Sequence, residues 1–223
     1  MSANITNTKK VTLLGMLAAI AYAVIFVCHF LIPPVAGFLT LDVKDTIIAI
    51  AGFIFGPLSA ALVGVVVAAV EMVTISATGP IGLIMNILSS CCFACVAALI
   101  YKRKHTLKGA IIGLIVGCLS ATAVMLLWNF LITPIYMGVP RATVAAMLVP
   151  VFLPFNLVKG GLNMALILLL YKPVVTALRK ARLVPESHAP VEGKGKLGAG
   201  FLLFSLALLA TFVVLALVLM GIL

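Results

Sequence analysis

Long apolar stretches separated by short polar or charged segments dominate the pattern of this chain. A helix needs about 20 apolar residues to cross a bilayer core of about 30 Å. The pattern predicts six spans in a core and a seventh near the C-terminus. Their predicted limits are 11–32, 45–56, 57–75, 81–101, 108–133, 151–171 and 199–221. These stretches are too long and unbroken for barrel strands, so we expect an all-α, polytopic membrane protein.

The spans divide the chain into three regions. Residues 1–172 are predicted to form a six-span membrane domain. Residues 173–198 form a polar linker, and residues 199–223 contain an additional C-terminal transmembrane helix. The second span, 45–56, is short, and Pro57 separates it from the third.

Composition supports a lipid environment and argues against a nucleic-acid partner. Of 223 residues, 65% are apolar and 9% are charged, whereas a soluble domain carries about 25% charged residues. The net charge is +10, but the basic residues form short clusters between spans. No basic stripe with interleaved aromatic residues, as a nucleic-acid surface needs, is present in the sequence.

The basic clusters predict the orientation, because Lys and Arg accumulate on cytoplasmic loops. A cytoplasmic N-terminus places the clusters at 9–10, 102–108 and 172–196 inside, which accounts for 12 of the 15 Lys and Arg residues. Lys44 and Arg141 then fall on outer loops. The prediction requires the short second span to cross, since a re-entrant segment would invert every later span. We expect the protein to reside in a bacterial-type cell membrane.

A few polar side chains lie within the spans, where they are costly and usually face a cavity or a partner. They are Glu71, Asn86, Asn129, Asn156, Lys159 and Asn163. The last three share one helical face, because they follow a spacing of three and four residues. Most of the set lies in the predicted outer half, which indicates a small cavity open to the outside. Alternatively, the amides link helices, and Lys159 neutralises Glu71.

Two connecting segments and one helical face add to this hypothesis. The segment 33–42 is rich in Pro and apolar residues and is suited to lie across a cavity as a lid. Gly79 and Gly82 open the fourth span and allow backbone N–H groups to approach a ligand. Ala19 and Ala23 form a small-residue face on the first span, which suits either a partner helix or internal packing.

Several spaced motifs resemble the substrate-binding (S) components of energy-coupling factor (ECF) vitamin importers. FLTLDVKD at 38–45 and IAGFIFGP at 50–57 carry this resemblance. WNF at 128–130, with TPIY at 133–136, and PFNLVKG at 154–160 are similar to the riboflavin-specific branch. The resemblance covers about residues 10–172, so the seventh span is extra.

The resemblance implies a six-helix fold that captures riboflavin from outside, as a transported ligand rather than a cofactor. It implies that Asn129, Asn156 and Lys159 hydrogen-bond the vitamin. Backbone around Leu41 and around the turn from Gly79 to Gly82 would line the pocket.

The resemblance also implies the partners. Ala19 and Ala23 match the face that docks on a transmembrane T component, which works with two ATP-binding subunits. Trp128 is a candidate to stack on the flavin ring, although a position in the aromatic belt explains it equally well.

The sequence argues against an enzyme. It contains no phosphate-binding loop, no HExxH or GxSxG motif and no pair of Asp residues within the spans. Cys91, Cys92 and Cys95 have no His or acidic neighbour in their segment, so we expect packing rather than a metal site. Two alternatives stay open: an S component for another vitamin or precursor, and a proton-coupled secondary transporter in which Glu71 carries the proton.

Overall fold

The computed structural model describes residues 7–181, 183 and 198–223. Within these residues the chain forms seven helices, and its β-structure is limited to an isolated bridge between Val35 and Leu39. The helices are α1, Asn7–Leu31; α2, Lys44–Phe55; α3, Pro57–Thr74; α4, Gly79–Arg103; α5, Leu107–Met137; α6, Arg141–Lys180; and α7, Ala199–Leu219. Helices α4 and α6 each contain one π-helical turn, at Cys91–Cys95 and Leu148–Phe152.

Six of these helices are long and apolar enough to cross a bilayer, and α2 is the exception. The 12 residues of α2 rise about 18 Å, which is less than the core thickness of about 30 Å. The prediction of an all-α, multi-pass membrane protein is confirmed, and α7 occupies the predicted place of the seventh span.

Helices α2 and α3 form a tight antiparallel pair that reverses the chain at Gly56. Gly56 has a φ of 95°, a conformation that glycine adopts without strain. A Cβ atom on Gly52 would lie 2.9 Å from the Cβ atoms of both Ala60 on α3 and Ala98 on α4. Only glycine therefore allows α2 to lie this deep between its neighbours.

The main apolar core is formed jointly by the six helices from α1 to α6. Each helix contributes at least one buried residue: Ile25, Ile48, Val67, Phe93, Leu114 and Ile167, in helix order. Helix α7 packs on the outside of this bundle, chiefly against α6.

The boundaries of α6 differ from the predicted span 151–171. The helix begins at Arg141 and continues to Lys180 despite Pro173 within it. The first part of the predicted linker is therefore helical. Residues 182 and 184–197, the greater part of that linker, lie outside the described residues.

Candidate substrate-binding site

A cavity of about 420 Å³ lies at one end of the bundle. Its walls come from the α1–α2 loop (residues 32–43), the α3–α4 connection and the adjoining turns of α1, α3, α4, α5 and α6. This volume is within the range of about 300–1,000 Å³ found for small-molecule sites. The basic residues at the C-terminal ends of α4 and α6 lie at the opposite end of those helices.

The lining combines apolar and aromatic surface with a few polar groups, as small-molecule sites usually do. The polar and charged members include His29, Thr40, Asp42, Glu71, Asn86, Asn129, Asn156 and Lys159. The apolar and aromatic members include Phe38, Met85, Met125, Tyr136 and Phe155.

One buried ion pair joins the α1–α2 loop to α6. Lys159 Nζ lies 2.6 Å from Asp42 Oδ2, and the two side chains are 13% and 3% exposed. Asp42 Oδ1 also accepts a hydrogen bond from the backbone N–H of Lys44, at 3.2 Å. Burial alone would raise the pKa of Asp42, but attraction to Lys159 and Lys44 outweighs it and holds that pKa below its usual value. The loop is thereby tied to α6 at the cavity.

A second buried ion pair joins α2 to α3. Lys44 Nζ lies 2.6 Å from Glu71 Oε2, with side-chain exposures of 2% and 11%. Asn86 Nδ2 on α4 donates to the other carboxylate oxygen of Glu71, at 2.8 Å. Each lysine near the site therefore faces its own carboxylate, which offsets the cost of a charge away from water.

Asn163 lies below the cavity and holds α6 against α2. Its Oδ1 accepts hydrogen bonds from the backbone N–H and the hydroxyl of Thr46, at 2.7 and 3.0 Å. Its Nδ2 donates to the carbonyl oxygens of Asp42 and Lys159, at 3.2 and 2.9 Å. This side chain is 1% exposed, so it supports the floor of the site.

Besides Asn86, two amides in the cavity wall, Asn129 and Asn156, retain capacity for further hydrogen bonds. Asn156 Nδ2 donates to the carbonyl of Phe152, at 2.7 Å. Asn129 Nδ2 donates to the carbonyl of Met125, and Asn129 Oδ1 accepts from the Thr133 hydroxyl. An amide offers two N–H donors and two acceptor lone pairs, so both groups can still engage a ligand.

Comparison with known proteins decides the family. Residues 9–171 match the family model described as "ECF transporter, substrate-specific component". The chain belongs to this family of S components. The family is a transporter component and not an enzyme. The match ends within α6, so α7 lies beyond it.

Individual relatives agree with the family model. This chain is 32% identical over 186 residues to the riboflavin transporter RibU of Staphylococcus aureus (strain TCH60). The match covers 79% of this chain and 96% of the relative. The chain is 28% identical over 193 residues to the riboflavin transporter FmnP of Bacillus subtilis (strain 168), covering 79% and 99%. A solved structure titled "Structure and mechanism of the S component of a bacterial ECF transporter" superposes with a TM-score of 0.66 at 30% identity, covering 78% of this chain and 99% of that one.

The structure of the S component brings together five of the six polar residues that the sequence singled out within the spans. The five that line the cavity are Glu71, Asn86, Asn129, Asn156 and Lys159. Glu71 does not pair with Lys159, as one alternative had it, because Lys44 and Asp42 take those places. Lys44 is not on an exposed outer loop: it is the first residue of α2 and is 1% exposed.

The prediction at Leu41 concerned the backbone, and neither the Leu41 side chain nor Trp128 is among the residues that line the cavity. Leu41 lies between Thr40 and Asp42, which line it, and Leu41 packs into a separate apolar cluster. Neighbouring side chains of an extended segment point to opposite sides. Trp128 is not among the lining residues, because it is displaced by about 100° around α5 from its neighbour Asn129.

The two predicted glycines lie beside the site rather than in its wall. Gly79, with a φ of 55°, is the first residue of α4. At Gly82 a Cβ atom would collide with the Thr78 hydroxyl. In this structure, therefore, Gly82 makes room for Thr78, and Thr78 is a lining residue.

Sequence reasoning missed several lining residues. Phe38 and Asp42 were considered as parts of a lid and of a family motif, Tyr136 and Phe155 appeared only within family motifs, and His29 was not considered. Asp42 had a usable signal, because a lysine within a span needs a carboxylate partner. The aromatic residues have no such signal in a chain this rich in apolar residues.

The predicted docking residues Ala19 and Ala23 lie on an exposed face of α1. Gly15 extends this face, and a Cβ atom there would meet nothing within 4 Å. Internal packing therefore does not explain these small residues within the described part of the chain, which leaves lipid or a partner helix to cover them.

Proposed function

We propose that this S component captures riboflavin at the outer face of the cell membrane, for uptake driven by a T component and two ATP-binding subunits. The observation that carries the proposal is the cavity, where Asn129, Asn156 and Lys159 meet aromatic side chains. The relatives named as riboflavin transporters support the choice of vitamin.

The chemistry of riboflavin suits the polar groups of the cavity. The vitamin joins a flat ring system, which has a pyrimidine-like edge of donors and acceptors, to a hydroxylated chain. Asn129 and Asn156 can each offer both donors and acceptors to such an edge. The Lys159 ammonium has three donors, of which Asp42 Oδ2 engages one. The remainder suits acceptor atoms of the ligand.

The aromatic wall of the cavity suits the flat faces of the ring. Phe38, Tyr136 and Phe155 line it, and Phe38 is itself supported edge-to-face by Phe152, at 5.9 Å between ring centroids. Offset or edge-to-face contact with such rings stabilises an aromatic ligand. These residues, rather than Trp128, are the candidates for contact with the flavin ring.

The orientation of the chain supports capture from outside. The cavity lies at the end of the bundle away from the basic residues that close α4 and α6. Because basic residues accumulate on the cytoplasmic side, we place the N-terminus in the cytoplasm and the cavity toward the outside.

Flavin fluorescence tests the proposal directly. We expect the purified chain alone to quench riboflavin fluorescence saturably with one site, and excess thiamin or biotin not to restore the signal. If the chain fails to quench flavin fluorescence but binds another vitamin tightly, that vitamin is the ligand and riboflavin is not. Glu71 is held by Lys44 and Asn86, which favours a purely binding role over proton transport. Proton-driven flux by the isolated chain in liposomes would contradict that role.

The docking face has its own test. We expect Ala19→Trp or Ala23→Trp to abolish riboflavin uptake by cells containing the partner subunits, because a bulky ring prevents close helix approach. Flavin binding by the purified variants is expected to stay unchanged. Ile112→Trp, on an exposed position of α5, is the matched control, and unchanged uptake by the α1 variants would remove this face from the interface.

A further inference from the structure

Helix α7 is docked on α6 by a specific fit. The Phe212 ring occupies the space where any side chain larger than glycine at Gly161 would begin. One turn further along α7, Ala216 is only 4% exposed. A helix surrounded by lipid alone would not need such a matched notch and ring.

One apolar cluster extends from this contact to the α1–α2 loop. Its buried members are Val35 and Leu41 in the loop, Phe155, Val158 and Leu162 on α6, and Ala216 on α7. Leu209, Phe212, Leu219 and Met220 of α7 pack against it. The C-terminal half of α7 therefore belongs to the same apolar cluster as the loop.

The opposite side of the same loop forms the wall of the cavity. Thr40 and Asp42 line the cavity, and Leu41 between them packs into the cluster shared with α7. A displacement of Leu41 toward α7 would draw Asp42 away from Lys159.

The loop has little regular structure of its own to hold this position. Its described hydrogen bonds form a short turn closed by the Val35–Leu39 bridge, with Ala36 and Gly37 at positive φ. Beyond that turn, the loop is held at Asp42 by the ion pair with Lys159 and by hydrogen bonds from Asn163 Nδ2 and the Lys44 N–H, and elsewhere by the apolar cluster. Segments with few apolar contacts open readily. The apolar contacts of the loop therefore affect how long it stays in place at the cavity wall.

We propose that α7, which lies outside the family match, is a positioning element of the substrate site. It backs the α1–α2 loop, keeps Thr40 and Asp42 over the cavity and slows the release of the ligand. The effect on release depends on the riboflavin-binding function proposed above, whereas the effect on the loop does not.

Two full-length variants test this role from opposite directions. Ala216→Trp forces α7 away from the loop, and Phe212→Ala removes the ring from the Gly161 notch without adding bulk. Val214→Trp, at an α7 position that is 50% exposed, is the matched control. Two measurements apply: hydrogen exchange of residues 32–43 in ligand-free protein, and the flavin dissociation rate.

We expect both test variants to speed exchange in the loop, with α2 and α3 unchanged. We expect flavin release to be faster by about tenfold, since such changes act mainly through dissociation. The control should alter neither measurement. If Ala216→Trp loosens the whole bundle, Phe212→Ala decides.

Two outcomes would overturn the proposal: loop exchange unchanged in Phe212→Ala, or faster release without a change in loop exchange. If the wild-type chain binds no flavin while the loop still responds to both variants, the positioning role stands and the riboflavin function fails.

Discussion

Helices α2 and α7 are opposite in every respect that matters for a membrane protein. In α2, nine of 12 residues are buried, including Lys44, Asp45 and Thr46. In α7, two of 21 residues are buried, and the helix has no charged residue. The shortest helix carries polar groups and lies inside, whereas an entirely uncharged helix lies outside.

The difference follows from the solvent. Lipid tails are as apolar as Leu, so exposing the side chains of α7 costs little. The charges of α2 are stable only where they find partners, which only the interior of the bundle provides. Closely packed positions in α2 and lipid-facing positions in α7 should therefore respond very differently to equivalent substitutions.

The largest effect is expected at the buried ion pair of α2. Lys44→Met leaves Glu71 buried without its cation, which should lower the free energy of unfolding by about 3–5 kcal/mol. Unfolding in detergent micelles measures it. The double variant Lys44→Met/Glu71→Gln should recover most of the loss, and a double variant as unstable as the single one would show that the pairing is not the cause.

The next effect concerns binding rather than stability. Lys159→Met should weaken riboflavin binding by about 10- to 100-fold, since hydrogen bonds to charged groups contribute about 1.5–3 kcal/mol. Asn156→Ala should weaken it by about fivefold, as expected for one or two neutral hydrogen bonds. Fluorescence titration gives both values. Leu203→Ala, at a 65% exposed position of α7, should bind as the wild type does; binding that survives both site variants would refute the assignment.

Two glycine substitutions compare packing directly. Gly52→Ala puts a methyl group 2.9 Å from two alanine Cβ atoms and should cost about 1–3 kcal/mol of stability by overpacking. Gly200→Ala in α7, where a Cβ atom meets nothing within 4 Å, should be neutral or slightly stabilising. Thermal unfolding of the two variants in the same detergent distinguishes them. Equal melting temperatures would show that α2 is not tightly packed.

The smallest effect is expected at Ser205 of α7. Its hydroxyl donates to the Phe201 carbonyl of its own helix, at 2.9 Å. In Ser205→Ala, that carbonyl still accepts the backbone hydrogen bond of the helix. The change in unfolding free energy should stay within about 0.5 kcal/mol. Ser90→Ala should cost more, because the Ser90 hydroxyl donates to the buried Asp45 carboxylate, at 2.5 Å. A larger loss at Ser205 than at Ser90 would reverse the comparison.

Much of the fold could be predicted because the cost of entering lipid depends on local composition. The positions of the seven helices follow from apolar stretches alone, and α7 at Ala199–Leu219 nearly matches its predicted range. Helix ends were less predictable. Hydropathy does not show that α6 starts at Arg141 or continues past Pro173, because helix geometry persists beyond the hydrocarbon core.

The candidate site could be predicted in part, for a related reason. The rule that polar side chains in spans face inward found six residues, and all of them except Asn163 line the cavity. The rule does not identify partners. Trp128 shows that proximity in sequence is also a poor guide to the site, since a residue next to Asn129 does not lie on the same helical face.

The sequence by itself determined the membrane class, the number of helices and the family, because apolar length and spaced motifs are properties of single segments. Only the tertiary structure decided that Asp42 pairs with Lys159, that Lys44 is buried against Glu71, and that α7 and the α1–α2 loop share one apolar cluster. These contacts join residues far apart in the chain. Their formation depends on how helices stack in three dimensions, which no local pattern of hydrophobic and polar residues encodes.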